Sequence, residues 1–248
     1  MTLETPGCCP DSRIWPAMIA PSDYVATGTF TKLGDSMDVY KVGSGRTAVV
    51  VLADIFGIRS GRHIGICDHF ASVLECTVFA PDLFKGERFE SVDLKTFCMK
   101  FPPSSVTADL DKLYAESLPN ESYDKIVILG FCWGSWIVYH EGARMKDERI
   151  VCGVNFHPSL RLEGFFGGDT KSLSNRNQIP QLLFPCSDDP ENIKSGIKCE
   201  LQENLATIHL CDQVKHGFSS QGDITDPVVK ENCEKVFRIA ENYIKAHL

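Results

Sequence analysis

Between residues 47 and 210 the chain alternates short, continuous apolar runs with stretches whose apolar residues recur every three or four positions. The runs are Thr47–Ala53 (TAVVVLA), Cys76–Ala80, Lys125–Gly130 (KIVILG), Arg149–Phe156, Gln181–Phe184 and Thr207–Leu210. They are too short and too β-branched for helices and predict buried strands. Helical spacing is carried by Ile64, Cys67, Phe70, Ala71 and Leu74 over His63–Leu74, and by Val106, Leu110, Leu113, Tyr114 and Leu118 over Ser104–Leu118. Ser104 or Ser105 is the expected cap of that second helix. Trp133–Met145 resumes the helical period, and Val228–Ile244 predicts a closing amphipathic helix. Upstream, Thr27–Leu33 and Met37–Val42 flank Gly34-Asp35-Ser36, which reads as a hairpin. Met1–Val25 carries Pro6, Pro10, Pro16 and Pro21 and no period, so it predicts an N-terminal arm.

Strands that alternate with helices predict an α/β fold, a mostly parallel central sheet with helices on both faces. With no internal repeat and no low-complexity linker, residues 26–248 read as a single domain. In such sheets ligands bind at the carboxyl ends of the strands.

Charge narrows the partners. Over 248 residues the formal net charge is −8, and no block of Lys or Arg interrupts it. Neither a nucleic-acid backbone nor an anionic membrane is expected as a partner. No apolar run approaches the roughly 18 residues of a spanning helix, and Glu4 precedes the first basic residue, Arg13, unlike a secretory leader. The expectation is a cytoplasmic protein, monomer or homodimer. The 11 cysteines are an odd number, too sparse for a disulfide scaffold and without a C-x-x-C pair, so reduced thiols are expected. His63, Cys67 and His69 could be drawn as a metal cluster, but their spacing fits a helix with Cys67 on its core face, and no metal is assigned.

The strand KIVIL runs into Gly130-Phe131-Cys132-Trp133-Gly134 and then directly into a helix. This is the G-x-nucleophile-x-G pattern in the strand–turn–helix context it needs, with cysteine as the nucleophile. A helix N-terminus beneath Cys132 favours thiolate and offers free N–H groups to an oxyanion. A thiol also needs a base and a group that orients the base. Asp188 and Asp189 follow the strand Gln181–Phe184, and His216 follows Thr207–Leu210, in the order nucleophile, acid, base. His157 also follows a strand, but it precedes the acid and reads as a pocket wall.

These segments carry a resemblance. Asp54-Ile55-Phe56-Gly57, Pro81-Asp82-Leu83-Phe84, GFCWG at 130–134 and His216-Gly217-Phe218 together resemble the dienelactone hydrolase family of α/β hydrolases. The resemblance implies the α/β-hydrolase fold and a triad of Cys132, His216 and an aspartate, with Asp189 favoured by its offset from the preceding strand. It implies an oxyanion hole from the backbone N–H groups of Ile55 and Trp133, and no cofactor. Asp54 stands where the family usually has glutamate, a carboxylate that holds the resting thiol protonated. The family's two carboxylate-gripping arginines are replaced by Lys85-Gly86 and Ser219-Ser220, so a cation would have to come from Lys85, Arg59 or Arg62. His157, Phe218 and Lys85 are pocket candidates, and residues 86–103 a candidate flap. The expected activity is hydrolysis of a small-molecule ester or lactone. The alternatives are a hydrolase-fold protein kept for binding or regulation, and a thiol redox sensor.

Overall fold

The computed structural model describes residues 24–34, 37–90, 93–119 and 122–248. Most of the N-terminal arm, with Cys8 and Cys9, and the hairpin residues Asp35 and Ser36 lie outside the described residues. One eight-stranded sheet is formed by β1 (Thr29–Leu33), β2 (Met37–Val42), β3 (Thr47–Leu52), β4 (Thr77–Pro81), β5 (Lys125–Phe131), β6 (Ile150–Phe156), β7 (Gln181–Phe184) and β8 (Ala206–Ile208). Their order across the sheet is β1-β2-β4-β3-β5-β6-β7-β8. β2 runs antiparallel to β1 and β4, and every other pairing is parallel.

The continuous apolar runs arise because both sheet faces are buried. Along β3, Ala48, Val50 and Leu52 face Trp136 and Ile137 of α4 (Trp133–Arg144) and Leu110 of α3 (Pro103–Ser117). Val49 and Val51 face the other way, toward Phe70 of α1 (His63–Val73) and Ala240 and Ile244 of α7 (Pro227–His247). Among the described residues, no helix is long and apolar enough to cross a membrane.

Three sequence expectations shift. Neither Ser104 nor Ser105 caps α3: Pro102 is the cap and Pro103 the first helical residue, where its fixed φ suits the helix and its missing N–H costs nothing. The last strand is Ala206–Ile208 rather than Thr207–Leu210: past the Leu183↔Ile208 pair the ladder continues as an isolated Cys186↔Cys211 bridge, and Leu210 between them is 47% exposed. Within 86–103 the chain forms α2 (Leu94–Met99), begun by Asp93, whose carboxylate accepts from the Thr96 amide at 2.9 Å. Two further short helices, α5 (Thr170–Arg176) and α6 (Phe218–Gln221), were not anticipated.

Register places the chemistry. Leu52 pairs with Gly130, Phe131 with Phe156, and Phe156 with Phe184. The carboxyl ends of β3, β5, β6 and β7 therefore lie nearly level, and the residues leaving them, Asp54, Cys132, His157 and Cys186, emerge beside one another.

Candidate active site

Cys132 sits between β5 and α4 with φ 51° and ψ −109°, a left-handed conformation that costs a non-glycine residue about 1–3 kcal/mol. The flanking glycines make the turn possible. A Cβ on Gly130 would meet Ser135 Cα at 2.5 Å, and one on Gly134 would meet Leu52 O at 2.1 Å. The first helical amides of α4, Trp133 foremost, have no carbonyl one turn behind them to bond. Cys132 itself is 4% exposed, and its Sγ lies 3.3 Å from Ser159 Oγ.

His216 and Asp189 meet below the ends of β7 and β8. The imidazole Nδ1 donates to Asp189 Oδ1 at 2.6 Å in a buried contact. Asp189 Oδ2 accepts from the Cys186 amide at 2.7 Å, which fixes the carboxylate relative to β7. Asp188 takes a different job: its Oδ1 accepts from the backbone N–H of His216 at 2.7 Å. The two aspartates that sequence left competing are both in use, one on the ring and one on the main chain. Burial works against a charged imidazole, but the Cys132 sulfur and the Asp189 carboxylate outweigh it, pushing the His216 pKa up to about 10. His216 Nε2 is buried without a hydrogen bond of good geometry. With Nδ1 committed to Asp189, Nε2 is the ring nitrogen left for proton exchange.

Asp54 is also buried. Its Oδ1 accepts from the Phe56 amide at 3.0 Å, and its Oδ2 from Ser220 Oγ at 2.8 Å and Gln221 Nε2 at 2.7 Å. His63 Nε2 lies 3.1 Å from the same Oδ2. Burial disfavours the charged carboxylate, but His63 overrides it and the Asp54 pKa is lowered. Ile55, fully buried, follows on the loop from β3.

A sequence model of the dienelactone hydrolase family matches residues 37–248 of this chain. The chain belongs to the dienelactone hydrolase family. No curated protein matches it in sequence. Among solved structures it is similar to a dienelactone hydrolase-like promiscuous phosphotriesterase from metagenomic libraries, with a TM-score of 0.60 and 14% identity over 90% of this chain and 98% of that one. It is similar also to Est1E from Butyrivibrio proteoclasticus, solved with ferulic acid, with a TM-score of 0.59 and 10% identity over 85% and 98% of the two chains. An acylaminoacyl peptidase from Pyrococcus horikoshii gives 0.61 and 11% identity over 90% of this chain and 42% of that one. At such identities the likeness is one of fold: this dienelactone hydrolase family member has the α/β-hydrolase architecture.

The candidate cations of this family member are all engaged. Lys85, itself in a left-handed conformation, pairs with Asp109 at 2.8 Å. Arg59 pairs with Asp38 at 3.0 Å and covers the Phe30 ring. Arg62 donates to the carbonyls of Phe218 and Ser219. The three residues drawn as a metal cluster part company: His63 pairs with Asp54, His69 with Glu241 at 2.8 Å, and Cys67 lies in the core. Within 86–103, Phe97 and Phe101 pack on Phe84 with ring centroids 5.2 and 4.8 Å away, and Phe84 packs on Trp133 at 4.6 Å. Phe89 packs on Phe56 at 6.2 Å. Phe218 lies 6.0 Å from His157, whose ring stands 4.9 Å from that of His216.

Sequence reasoning gave no role here to Ser159, His63, Ser220 or Gln221; it drew His63 into a possible metal cluster and noted Ser220 only where an arginine is missing. Ser159 stood two residues past His157, close enough to be suspected. The other three meet Asp54 only through folding, across separations of up to 167 residues, and no local signal marks them.

Proposed function

We propose that this hydrolase cleaves a carboxylic ester or lactone through a covalent intermediate on Cys132, served by His216 and Asp189. The observation that carries the reading is the buried His216–Asp189 contact of 2.6 Å beside an elbow cysteine whose sulfur raises the proton affinity of that imidazole. In this reading His216 takes the proton of Cys132 and the thiolate attacks the carbonyl carbon. The oxyanion rests on the backbone N–H groups of Trp133 and Ile55. The alkoxide departs with the proton from His216, and water, deprotonated by the same ring, releases the acid from the thioester. The 86–103 segment acts as a flap, with Phe89 packed on Phe56, and Phe97 and Phe101 packed on Phe84, which in turn packs on Trp133.

The substrate is a small molecule, and the pairing of Lys85, Arg59 and Arg62 favours an uncharged one over an anionic lactone. A panel of aryl esters and neutral and anionic lactones, assayed with the parent and with Cys132→Ala, tests the reading. Loss of all turnover above background in the Cys132→Ala enzyme is expected. Equal rates in the two proteins would end it.

A further inference from the structure

The turn after β6, Phe156 to Ser159, is wrapped around Cys132 in a way the triad does not require. The Cys132 amide donates to Phe156 O at 3.0 Å, and the Ser159 amide donates to Cys132 O at 3.1 Å. Ser159 Oγ sits 3.3 Å from the sulfur. Between these anchors, His157 adopts φ 38°, a left-handed conformation rare for a residue with a side chain, and its amide is fastened to Phe184 O at 3.0 Å. The imidazole is fully buried. It stands edge-on to His216, ring centroids 4.9 Å apart and planes at 66°, with Phe131 at 6.1 Å and Phe218 at 6.0 Å as its other walls.

Neither nitrogen of His157 makes a hydrogen bond of good geometry among the described residues. A buried donor left so costs about 1–3 kcal/mol and calls for a reason. The titratable groups that act on this ring are Cys132, His216 and Asp189. Burial lowers its proton affinity; the Cys132 sulfur works the other way, and the net shift is downward. His157 is thus a neutral imidazole with one N–H to give, set beside a sulfur that becomes an anion during the reaction.

We propose that His157 and Ser159 form a thiolate-holding turn, donating an N–H and an O–H to the Cys132 sulfur once its proton has gone. The inference rests on Cys132 being the nucleophile. The S–H bond breaks, its proton forms a new N–H bond at His216 Nε2, and the electron pair stays on sulfur, where the two donors receive it. His216 and Asp189 carry the proton; His157 and Ser159 carry the charge left behind. On acylation the sulfur loses its charge and the two hydrogen bonds weaken, so the turn favours the attacking state over the acyl-enzyme.

The test is the pH dependence of Cys132 alkylation by iodoacetamide, followed on its own peptide by mass spectrometry. It is run on the parent, His157→Phe, His157→Gln and Ser159→Ala. Phenylalanine keeps the ring packing and removes the donor; glutamine keeps a donor. A hydrogen bond to a charged group is worth enough to move a titration by about one unit. His157→Phe and Ser159→Ala are expected to raise the thiolate midpoint by about that much and to slow acylation roughly tenfold, with glutamine recovering most of both. Packing alone would leave the midpoint where it is in the parent. An unmoved midpoint in both donor-less variants overturns the proposal, and Ser159→Ala decides it if His157→Phe fails to fold. If instead Cys132→Ala still hydrolyses esters at the parent rate, the nucleophile assignment itself has failed, which is a separate result.

Discussion

Gly134→Ala is a small change that should separate the two halves of the proposed oxyanion site. A Cβ at this position would meet Leu52 O at 2.1 Å, Leu52 C at 2.6 Å and Ala53 O at 2.8 Å, all main-chain atoms at the end of β3. Cβ atoms essentially never approach closer than 3.0 Å, so β3 and the start of α4 must part by about 0.9 Å. Neither is free to yield, since β3 is paired along its length to β5 and α4 is packed on the core through Trp136 and Ile137. Overpacking of this kind costs about 1–3 kcal/mol, and for a chain of this size each kcal/mol lowers Tm by about 2–4 °C. Activity should fall further than stability. The parting moves Trp133 away from Ile55, and a misplacement near 1 Å costs about 100-fold in rate. The assay is thermal unfolding alongside turnover of an activated aryl ester. Gly164→Ala serves as control, because nothing lies within 4 Å of its added methyl. A Gly134→Ala protein with the parent's Tm and the parent's kcat would refute the reasoning.

Three further outcomes follow from the same contacts. Asp189→Asn should lower kcat by about 10³–10⁴-fold, because the amide cannot hold the His216 tautomer that accepts from the thiol. Asp188→Asn, which bonds the His216 backbone N–H rather than its ring, should cost far less; ester kinetics on the two variants would reverse the assignment if Asp188 proved the more damaging. Glu163, beneath α4, accepts from Trp136 Nε1 and His140 Nε2, each at 2.8 Å, and pairs with Arg176 at 3.1 Å. Burial opposes its charge but His140 and Trp136 prevail, so its pKa is lowered in the folded protein. A lowered carboxylate contributes stability that is present above its unfolded value and lost as pH falls through the folded one. Glu163→Gln should therefore flatten the acid limb of Tm against pH below about 4.3, and an acid limb identical to the parent's would contradict this.

How much of this was legible in sequence depended on whether the signal was local. The buried strands were, because a parallel sheet covered on both sides writes itself as unbroken apolar runs such as TAVVVLA. The elbow was, because a strand–turn–helix of this kind needs glycine on both sides of Cys132 and the steric reason lies within five residues. The start of α3 was misread for an equally local reason: serine caps are common, but Pro103 had already settled where the helix could begin. The division between Asp189 and Asp188 was only partly legible: the resemblance favoured Asp189 for the ring, and nothing gave Asp188 its place on the His216 amide. Both follow the same strand, and only the path of the 186–189 turn decides which carboxylate reaches the His216 ring and which reaches its amide. Short helices such as α2 and α6 escaped because a turn or two carries too little period to read.

The aspartate at position 54, where the resemblance leads one to expect glutamate, acquires a physical meaning from its partners. The carboxylate bonds the amide of Phe56 on its own loop, and Ser220 and Gln221 on α6, just past His216. The same two segments are joined again by Arg62, whose amide donates to Ser220 O at 2.9 Å and whose guanidinium reaches the carbonyls of Phe218 and Ser219. Gln221 adds a bond to Ser60 Oγ at 2.9 Å, and Gly61 lies so close that a Cβ there would meet Ser220 O at 2.3 Å. The loop bearing Ile55 and the segment bearing His216 are therefore one unit. Asp54 still acts on Cys132 by charge, since the sulfur is among the influences that oppose the lowering of its pKa, and the influence is mutual: an ionised Asp54 disfavours the thiolate. A carboxylate already committed to this clamp has little freedom to swing toward the thiol. Its opposition to the thiolate is then a fixed field, one that the donors of the 156–159 turn would have to offset in every catalytic cycle.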